Sequence, residues 1–496
     1  MPAALDVLVQ LDSAAHRTYG EQLYRQLRDA ALSGRLQPGA RLPASRRLAS
    51  TLGVARQTVL DTYEQLAAEG YLVGRHGSGT FVAEVLPDHL LRVRGQTVSQ
   101  ASQEGRVPRG ISKRGALLSS SQVIPMPLRT PLRAFRIGHP AVDAFPFQRW
   151  RRLADRRWRS PPRDLTGYGY PGGYPPLREA IAGYLGAVRA VYCAPEQVIV
   201  LGGSQQALDL AARVLLDPGE TVWFEEPGYL GARAALAGAG ARIIPIPVDQ
   251  DGLEVAVGTV AAPAARLAYV TPSHQYPLGV TLSLARRLAL LAWASRADAW
   301  ILEDDYDSEF RYAGRPLAAL QGLDTSARVI YIGTFSKTLL PSLRLGYLVV
   351  PPDLVDAFTS ARAVVDRQSP SLEQAVLADF IAEGHFGRHI RRMRQLYAER
   401  QQLLIEAASR ELLGVLELRP ESAGLHLVGR LPASADDRAL SRAAYARGVD
   451  AIPLSATYLG PPNASGLLLG YAAYPEAEIR AGMRELAQAL VAGLER

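Results

Sequence analysis

Cysteine is almost absent. Cys193 stands alone in 496 residues, so no intramolecular disulfide can form, and no Cys/His cluster has the spacing of a structural zinc site. That usage fits a reducing compartment, and the cytoplasm is the expected location. Lysine is nearly as scarce, with only Lys113 and Lys337 among 55 basic residues, so each lysine invites a reason. Aromatic residues make up 7%, and no uncharged stretch reaches the roughly 18 residues that a bilayer span requires. The opening residues also lack a basic stretch followed by an apolar run and a small-residue cleavage site, so neither export nor a membrane partner is expected.

What is present is a globular balance of 48% hydrophobic and 21% charged residues, in a chain long enough for more than one core. The net charge is +7, and residues 1–125 hold 15 basic against 10 acidic residues. Most of the excess therefore lies in the first quarter, which suggests an anionic partner.

Three blocks follow from patterning: a compact segment over 17–84, a basic stretch of little periodicity over 86–125, and a long region over 126–496. The middle stretch reads as a linker. Its Arg92, Arg94, Arg106, Arg109, Lys113 and Arg114, against Asp88 and Glu104, make either a solvated tether or a strip that touches phosphate. In the last block short apolar runs alternate with amphipathic helical patterns, as in Val198 to Leu201, Gln205 to Leu216 and Thr221 to Phe224. Such alternation predicts a parallel sheet flanked by helices. From about Pro370 the pattern is mostly helical, with strand-like patches at Leu425 to Val428 and Gly466 to Tyr471, which predicts a smaller α+β lobe.

In the first block Leu23, Leu27, Ala30 and Ala31 share one helical face between Tyr19 and Ser33. Ser45 is expected to cap a second helix through Thr51, Gly53 makes the turn, and a third helix runs from about Arg56 through Ala68. A hairpin follows, with Tyr71 to Val73 and Thr80 to Val82 around the tip Gly74-Arg75-His76-Gly77-Ser78-Gly79. The unit is an α+β winged helix-turn-helix, whose third helix enters the major groove of DNA. Arg56, Gln57 and Thr58 are placed to reach base edges, and Arg46, Arg75, Gly77 and Thr80 to contact backbone. The runs Leu42-Pro43-Ala44-Ser45-Arg46-Arg47-Leu48-Ala49, Leu52-Gly53-Val54-Ala55-Arg56-Gln57-Thr58-Val59 and Gly77-Ser78-Gly79-Thr80-Phe81-Val82 closely resemble the GntR family of bacterial winged-helix regulators.

Three further stretches lie far apart, each at the end of an expected strand, where ligands of open α/β sheets bind. Gly202-Gly203-Ser204-Gln205 opens a helix whose free N–H groups favour an anion, or is an ordinary strand-to-helix turn. Glu303-Asp304-Asp305-Tyr306-Asp307 could hold a metal or pair with a protonated pyridine nitrogen; histidines at ligand spacing are missing nearby, so no metal is expected. Ser336-Lys337, with Arg344 seven positions on, keeps a lysine where arginine is used nearly everywhere else. A guanidinium cannot form a Schiff base, so an amine need explains it; the alternative is a surface lysine at a strand end.

Together these resemble the fold type I pyridoxal 5'-phosphate (PLP) enzymes, the aspartate aminotransferase group. The resemblance implies that PLP is the cofactor and that Lys337 forms the Schiff base with it. Asp304 would pair with the pyridine nitrogen and Tyr306 with the ring oxygen. Ser204, Gln205, Ser336 and Arg344 would hold the phosphate, and Tyr229 would stack on the ring. Tyr168 resembles the segment that reaches a neighbouring subunit's site, which implies a homodimer. The two domains in this order, with Thr271-Pro272-Ser273-His274-Gln275-Tyr276-Pro277-Leu278-Gly279, resemble the MocR subfamily of GntR regulators, that of GabR, PdxR and TauR.

One departure stands out. Aminotransferases clamp the substrate carboxylate with an arginine near the C-terminus, yet no Arg or Lys lies between Arg447 and Arg480. Amino-acid transamination is weakened, as is a γ-aminobutyrate-type effector, unless Arg233 or another arginine takes the role. The leading expectation is a regulator that binds double-stranded operator DNA and senses PLP or an amine effector through Lys337. A working aminotransferase with an attached DNA-binding module is the alternative, and a PLP-independent repressor the third.

Overall fold

The computed structural model describes residues 9–13, 15, 17–75, 77–87, 110–120, 132–313 and 317–494. The chain divides into two compact units, Met1–Gly110 and Ile111–Arg496. Of the expected linker, Arg92, Arg94, Arg106 and Arg109 lie outside the described residues, as does His76 of the hairpin tip. The described part, Lys113–Ser120, is a helix that belongs to the second unit. It packs on the helix Leu230–Gly238, where a Cβ on Gly238 would sit 2.7 Å from Leu118 Cδ2.

In the first unit, helix α1 (Tyr19–Leu32) starts from a reciprocal cap: the Thr18 hydroxyl accepts from the Glu21 N–H at 3.3 Å, and the Thr18 N–H donates to the Glu21 carboxylate at 3.2 Å. Helix α2 (Ser45–Leu52) stops at Gly53, whose φ of 67° favours glycine. The expected cap by Ser45 is not formed. Ala44 occupies the cap position without a side-chain bond, and Ser45 is the first helical residue, its hydroxyl 3.5 Å from Arg56 Nε. Helix α3 (Arg56–Ala68) is followed by β1 (Leu72–Arg75) and β2 (Gly79–Val82), paired antiparallel with Arg75 opposite Gly79. Leu23, Leu27, Leu48, Val59, Leu66, Leu72 and Val82 close one core between helices and hairpin.

The second unit is built on an eight-stranded sheet in the order β3-β10-β9-β8-β7-β4-β5-β6. These strands are β3 (Val198–Leu201), β4 (Thr221–Glu226), β5 (Arg242–Asp249), β6 (Gly252–Leu253), β7 (Leu267–Val270), β8 (Trp300–Asp305), β9 (Val329–Thr334) and β10 (Gly346–Val349). The expected parallel sheet is found for β4, β5, β7, β8 and β9, whereas β10 runs antiparallel to both β3 and β9. The reason is connection length. Residues 335–345 are too few for a helical crossover, which takes a dozen or more, so the chain reverses directly from β9 into β10. A second, three-stranded antiparallel sheet, β11 (His426–Arg430), β13 (Gly466–Gly470) and β12 (Ile452–Pro453), forms the smaller lobe with the long helix His385–Glu411. The two-residue β12 has no sequence signal of its own.

Alternation along β8 separates its acids. Glu303 accepts from the backbone N–H groups of Leu320 and Gln321 at 2.7 and 2.8 Å, and Asp305 accepts from Arg189 Nε at 2.9 Å and the Tyr331 hydroxyl at 2.5 Å. Asp304 points to the opposite face. The acid run is therefore two structural anchors flanking one carboxylate turned toward the cavity described below. Arg189 and Asp305 are both almost fully buried, and removing one partner of such a pair leaves the other charge uncompensated. Arg189→Met is expected to destabilise the second unit by about 3 to 5 kcal/mol in denaturant unfolding. An unchanged midpoint would show that the Tyr331 hydroxyl alone suffices for Asp305.

Candidate cofactor site and nucleic-acid face

One cavity of about 580 Å3 lies at the carboxyl ends of these strands. Ser204, Gln205, Tyr229, Asp304, Tyr306, Ser336, Lys337 and Arg344, from segments spread over 140 residues of sequence, all line it. Tyr168 does not. It is 85% exposed, with the Arg367 guanidinium 4.8 Å over its ring.

The reversal between β9 and β10 sets the central pair. The Phe335 N–H donates to the Leu345 carbonyl at 3.0 Å and pins the base of the turn, which holds Lys337 and Arg344 at the same end of the sheet. Lys337 Nζ donates to the Gly138 carbonyl at 2.8 Å. Burial lowers its pKa; Asp307 and Asp304 push upward without overcoming it, and Arg344 adds to the fall. A lowered pKa raises the fraction of neutral, nucleophilic amine.

Asp304 is 4% exposed, and one of its oxygens accepts from the Tyr269 hydroxyl at 2.9 Å. The other, Oδ1, has no hydrogen-bond partner among the described residues. Burial raises this carboxyl to about 7, against the opposing Tyr269 bond. A cationic N–H donor at this position would remove the cost of the unpaired oxygen. At the other end of the cavity the helix Ser204–Leu215 presents its first N–H groups, and its preceding Gly203 holds φ 116°. That φ is what calls for glycine, since a Cβ on Gly203 would meet Arg344 Nη2 at an ordinary contact of 3.4 Å; the backbone and the guanidinium lie side by side. Helix start, Ser204 and Arg344 together make an anion cradle. Gln205 Oε1 is also buried without a hydrogen-bond partner among the described residues.

Tyr306 is held from behind. His274 Nδ1 lies 3.0 Å from both the Tyr306 hydroxyl and Asp307 Oδ2. Burial alone would pull His274 down, but the Asp307 carboxylate outweighs it and raises the pKa.

Sequence reasoning missed Arg136, His139, Tyr269, Tyr276, His426 and Asp450, which also line the cavity. Tyr276 carried a signal, because it directly precedes Pro277-Leu278-Gly279, where aminotransferases place an asparagine. The others come from loops and strand ends with no local mark. Burial first, and neighbouring cations second, lower both His139 and His426, the latter to about 4, so both imidazoles are neutral at pH 7. Arg233, considered as a carboxylate clamp, does not line the cavity; its Nη1 donates to the Tyr458 carbonyl at 3.2 Å.

On the first unit Arg46, Arg56 and Gln57 are exposed around the start of α3, and Gln57 Nε2 donates to Asp61 at 2.7 Å. Thr58 is half-buried and turns its methyl toward α1, where a Cβ on Gly20 would be 3.6 Å away. At the hairpin Arg75 lies 4.9 Å over the Phe81 ring, beside Glu84 at 3.6 Å. Gly77 takes a φ of 71° at the tip, and the Thr80 carbonyl accepts from Leu42 at 2.8 Å.

The raised Asp304 carboxyl gives a pH signature. A carboxyl moved from 3.8 to about 7 contributes stability that is complete below its unfolded value and lost as pH rises through 7. Glu225 and Glu303, also raised to about 7 by burial, act in the same sense. Stability of the cofactor-free protein is therefore expected to fall between about pH 4 and 7, and Asp304→Asn to flatten that fall. An identical pH slope in the variant would contradict the assignment.

Comparison with known proteins agrees with this architecture. The bacterial regulatory proteins of the gntR family match residues 19–82, and aminotransferase class I and II matches residues 135–486. The chain is 46% identical over 487 residues to the probable rhizopine catabolism regulatory protein MocR of Rhizobium meliloti, spanning 98% of this chain and 96% of that one. It is 32% identical to the pyridoxine biosynthesis transcriptional regulator PdxR of Corynebacterium glutamicum, over 98% and 99% of the two chains. Among solved structures, the α-aminoadipate aminotransferase LysN of Thermus thermophilus superposes with a TM-score of 0.71 at 29% identity, over 78% of this chain and 98% of that one. With full-length identity to MocR and both domain families in this order, the chain belongs to the MocR-type regulators of the gntR family, which carry an aminotransferase-like domain.

Proposed function

We propose that this protein is a DNA-binding transcriptional regulator whose second unit binds PLP and responds to PLP itself, or to an amine that reacts with it, at Lys337. The observation that carries the reading is the convergence of eight separately expected residues on one cavity, in a chain that also holds a winged helix. The fit of the cofactor rests on complementary vacancies in hydrogen bonding: the unpartnered Asp304 Oδ1 suits a protonated ring nitrogen, and the Gly203–Ser204–Arg344 cradle suits a phosphate. Bound there, PLP would supply an aldehyde that condenses with amines.

The chain's own groups do the rest. Lys337 offers an amine whose pKa burial lowers, and Asp304, raised to about 7, holds or releases a proton near neutrality. Tyr306, held by His274, presents its side chain on the cavity wall, and Tyr229 and Tyr276, their rings 5.5 Å apart edge to face, form another part of that wall. The exposed Tyr168 segment fits a homodimer in which it meets the neighbouring subunit. A dimer places two winged helices on two half-sites, and a change at the cavity that alters their spacing alters operator affinity.

A working aminotransferase is the second reading, favoured by a cavity complete enough to hold the cofactor and by the LysN likeness. Multiple turnovers over a panel of amino donors and keto acids would establish it.

Two outcomes test the main reading. Borohydride should fix PLP onto the wild-type protein and not onto Lys337→Ala; equal fixation in the variant would mean another amine carries the cofactor. On DNA, Arg56→Ala is expected to cost about 1 to 3 kcal/mol in specific binding, while Arg46→Ala weakens all sequences alike and flattens the salt dependence. An unchanged ratio of specific to non-specific affinity in Arg56→Ala would remove Arg56 from base contact.

A further inference from the structure

The helix Leu230–Gly238 joins the cavity to the linker. At its start it belongs to the cavity. Tyr229, its cap residue, and Leu230 both line the wall, and the Gly231 carbonyl accepts from Gln205 Nε2 at 2.9 Å. A Cβ on Gly231 would collide with the Tyr229 ring and with Gln205 Oε1, so the first turn is packed without slack against two lining side chains.

At its end the same helix carries the linker helix, Lys113–Ser120. Outside its own helix, a Cβ on Gly238 would meet only Leu118 among the described residues within 4 Å, with Cδ2 at 2.7 Å and Cγ at 3.7 Å. Position 238 is thus a seat for the Leu118 side chain, open because glycine has none. The two ends of the helix lie about 12 Å apart, and a helical segment passes a shift along as a rigid piece.

The linker helix has little else to hold it. Its eight residues fall below the roughly 12 that an isolated helix needs in water. The Ser112 hydroxyl accepts from the Gly115 N–H at 3.0 Å and caps it, but Gly115 within the helix lowers its intrinsic stability. Leu118 stays 46% exposed, so its seat is shallow. Helicity and docking therefore stand or fall together, which gives the segment two states: seated and helical, or released and unwound.

We propose that this docking passes the state of the cavity to the winged helix: a filled cavity keeps the linker helix seated on Gly238, and an empty one lets it release. This rests on the reading that the cavity binds PLP and that operator affinity follows it. A ring filling the cavity packs on Tyr229 and restrains Gln205, which holds the first turn of the helix; its last turn then keeps its place for Leu118. In sequence the linker helix follows the winged helix, and by packing it belongs to the second unit. Its release frees eight residues of the chain between the two, which changes the reach with which paired winged helices find two half-sites.

The test follows linker helix and DNA together in the full-length protein. Amide hydrogen exchange over residues 113–120 is measured without PLP and at saturation, beside operator affinity at fixed salt. In wild type, exchange in that segment is expected to slow by about fivefold or more with PLP, the lower end of ordinary coupling. Leu118→Asp removes the apolar contact from the linker side, and Gly238→Gln fills the seat from the other. In both, exchange over 113–120 should be fast with or without PLP and operator affinity should no longer follow PLP, while borohydride still fixes the cofactor and the melting temperature stays near that of wild type. By reciprocity, their Kd for PLP should rise by no more than the factor lost from docking. Leu118→Met, apolar and adaptable, should keep the wild-type response. Exchange over 113–120 that ignores PLP while operator affinity follows it, or a full response in Leu118→Asp, would overturn the inference. Operator affinity that ignores PLP in wild type would instead defeat the reading beneath it.

Discussion

The second unit depends on a buried amine held against its own desolvation. Lys337 sits at the end of β9, where burial disfavours its charge, while Asp307 and Asp304 favour it and Arg344 opposes it. No single partner fixes the outcome; the balance of four groups does. That balance requires the direct reversal from β9 to the antiparallel β10, which brings Lys337 and Arg344 to one end of the sheet within a turn of eleven residues, 335–345. Parallel neighbours β8 and β7 then deliver Asp304 and Tyr269 to the same edge.

Burying so many ionisable groups in one region is costly, and the fold distributes the cost. Acids with structural work are bound locally: Glu303 by two backbone N–H groups, Asp305 through one oxygen by Arg189 and Tyr331, and Glu225 by Thr271. Asp304 keeps an unpartnered oxygen, as do His274 and Gln205 an unpartnered polar atom nearby. Among the described residues, Asp304 Oδ1, Gln205 Oε1 and Asp450 Oδ1 belong to side chains that line the cavity and are unpartnered, and a polar ligand bound there would satisfy them.

Much of this was legible in the sequence, for physical reasons that differ by element. The winged helix declares itself through Leu23, Leu27, Ala30 and Ala31 at helical spacing and through Gly53, while the Ser45 cap was misplaced by one residue because a cap is set by the local backbone turn, not by residue type alone. Ser204, Asp304 and Lys337 could be found because each follows an apolar strand, and strand ends of an open sheet converge. Arg136 and Asp450 could not, because they meet the cavity through packing of residues 135–138 across β13, a contact more than 300 residues apart in sequence that leaves no periodic trace. The antiparallel β10 escaped a reading of apolar runs for the same reason: period alone does not encode direction.

The central claim is that the state of the cavity around Lys337 is read out at the winged helix. Its most direct test is the affinity of the full-length protein for a labelled fragment of its own upstream region, measured at fixed salt without cofactor and across a PLP titration, with and without an amine, in wild type and in Lys337→Ala. The account predicts specific binding in both proteins, with an affinity that changes on adding PLP or the amine in wild type only. Specific binding that ignores both ligands, or a response that persists in Lys337→Ala, would contradict it.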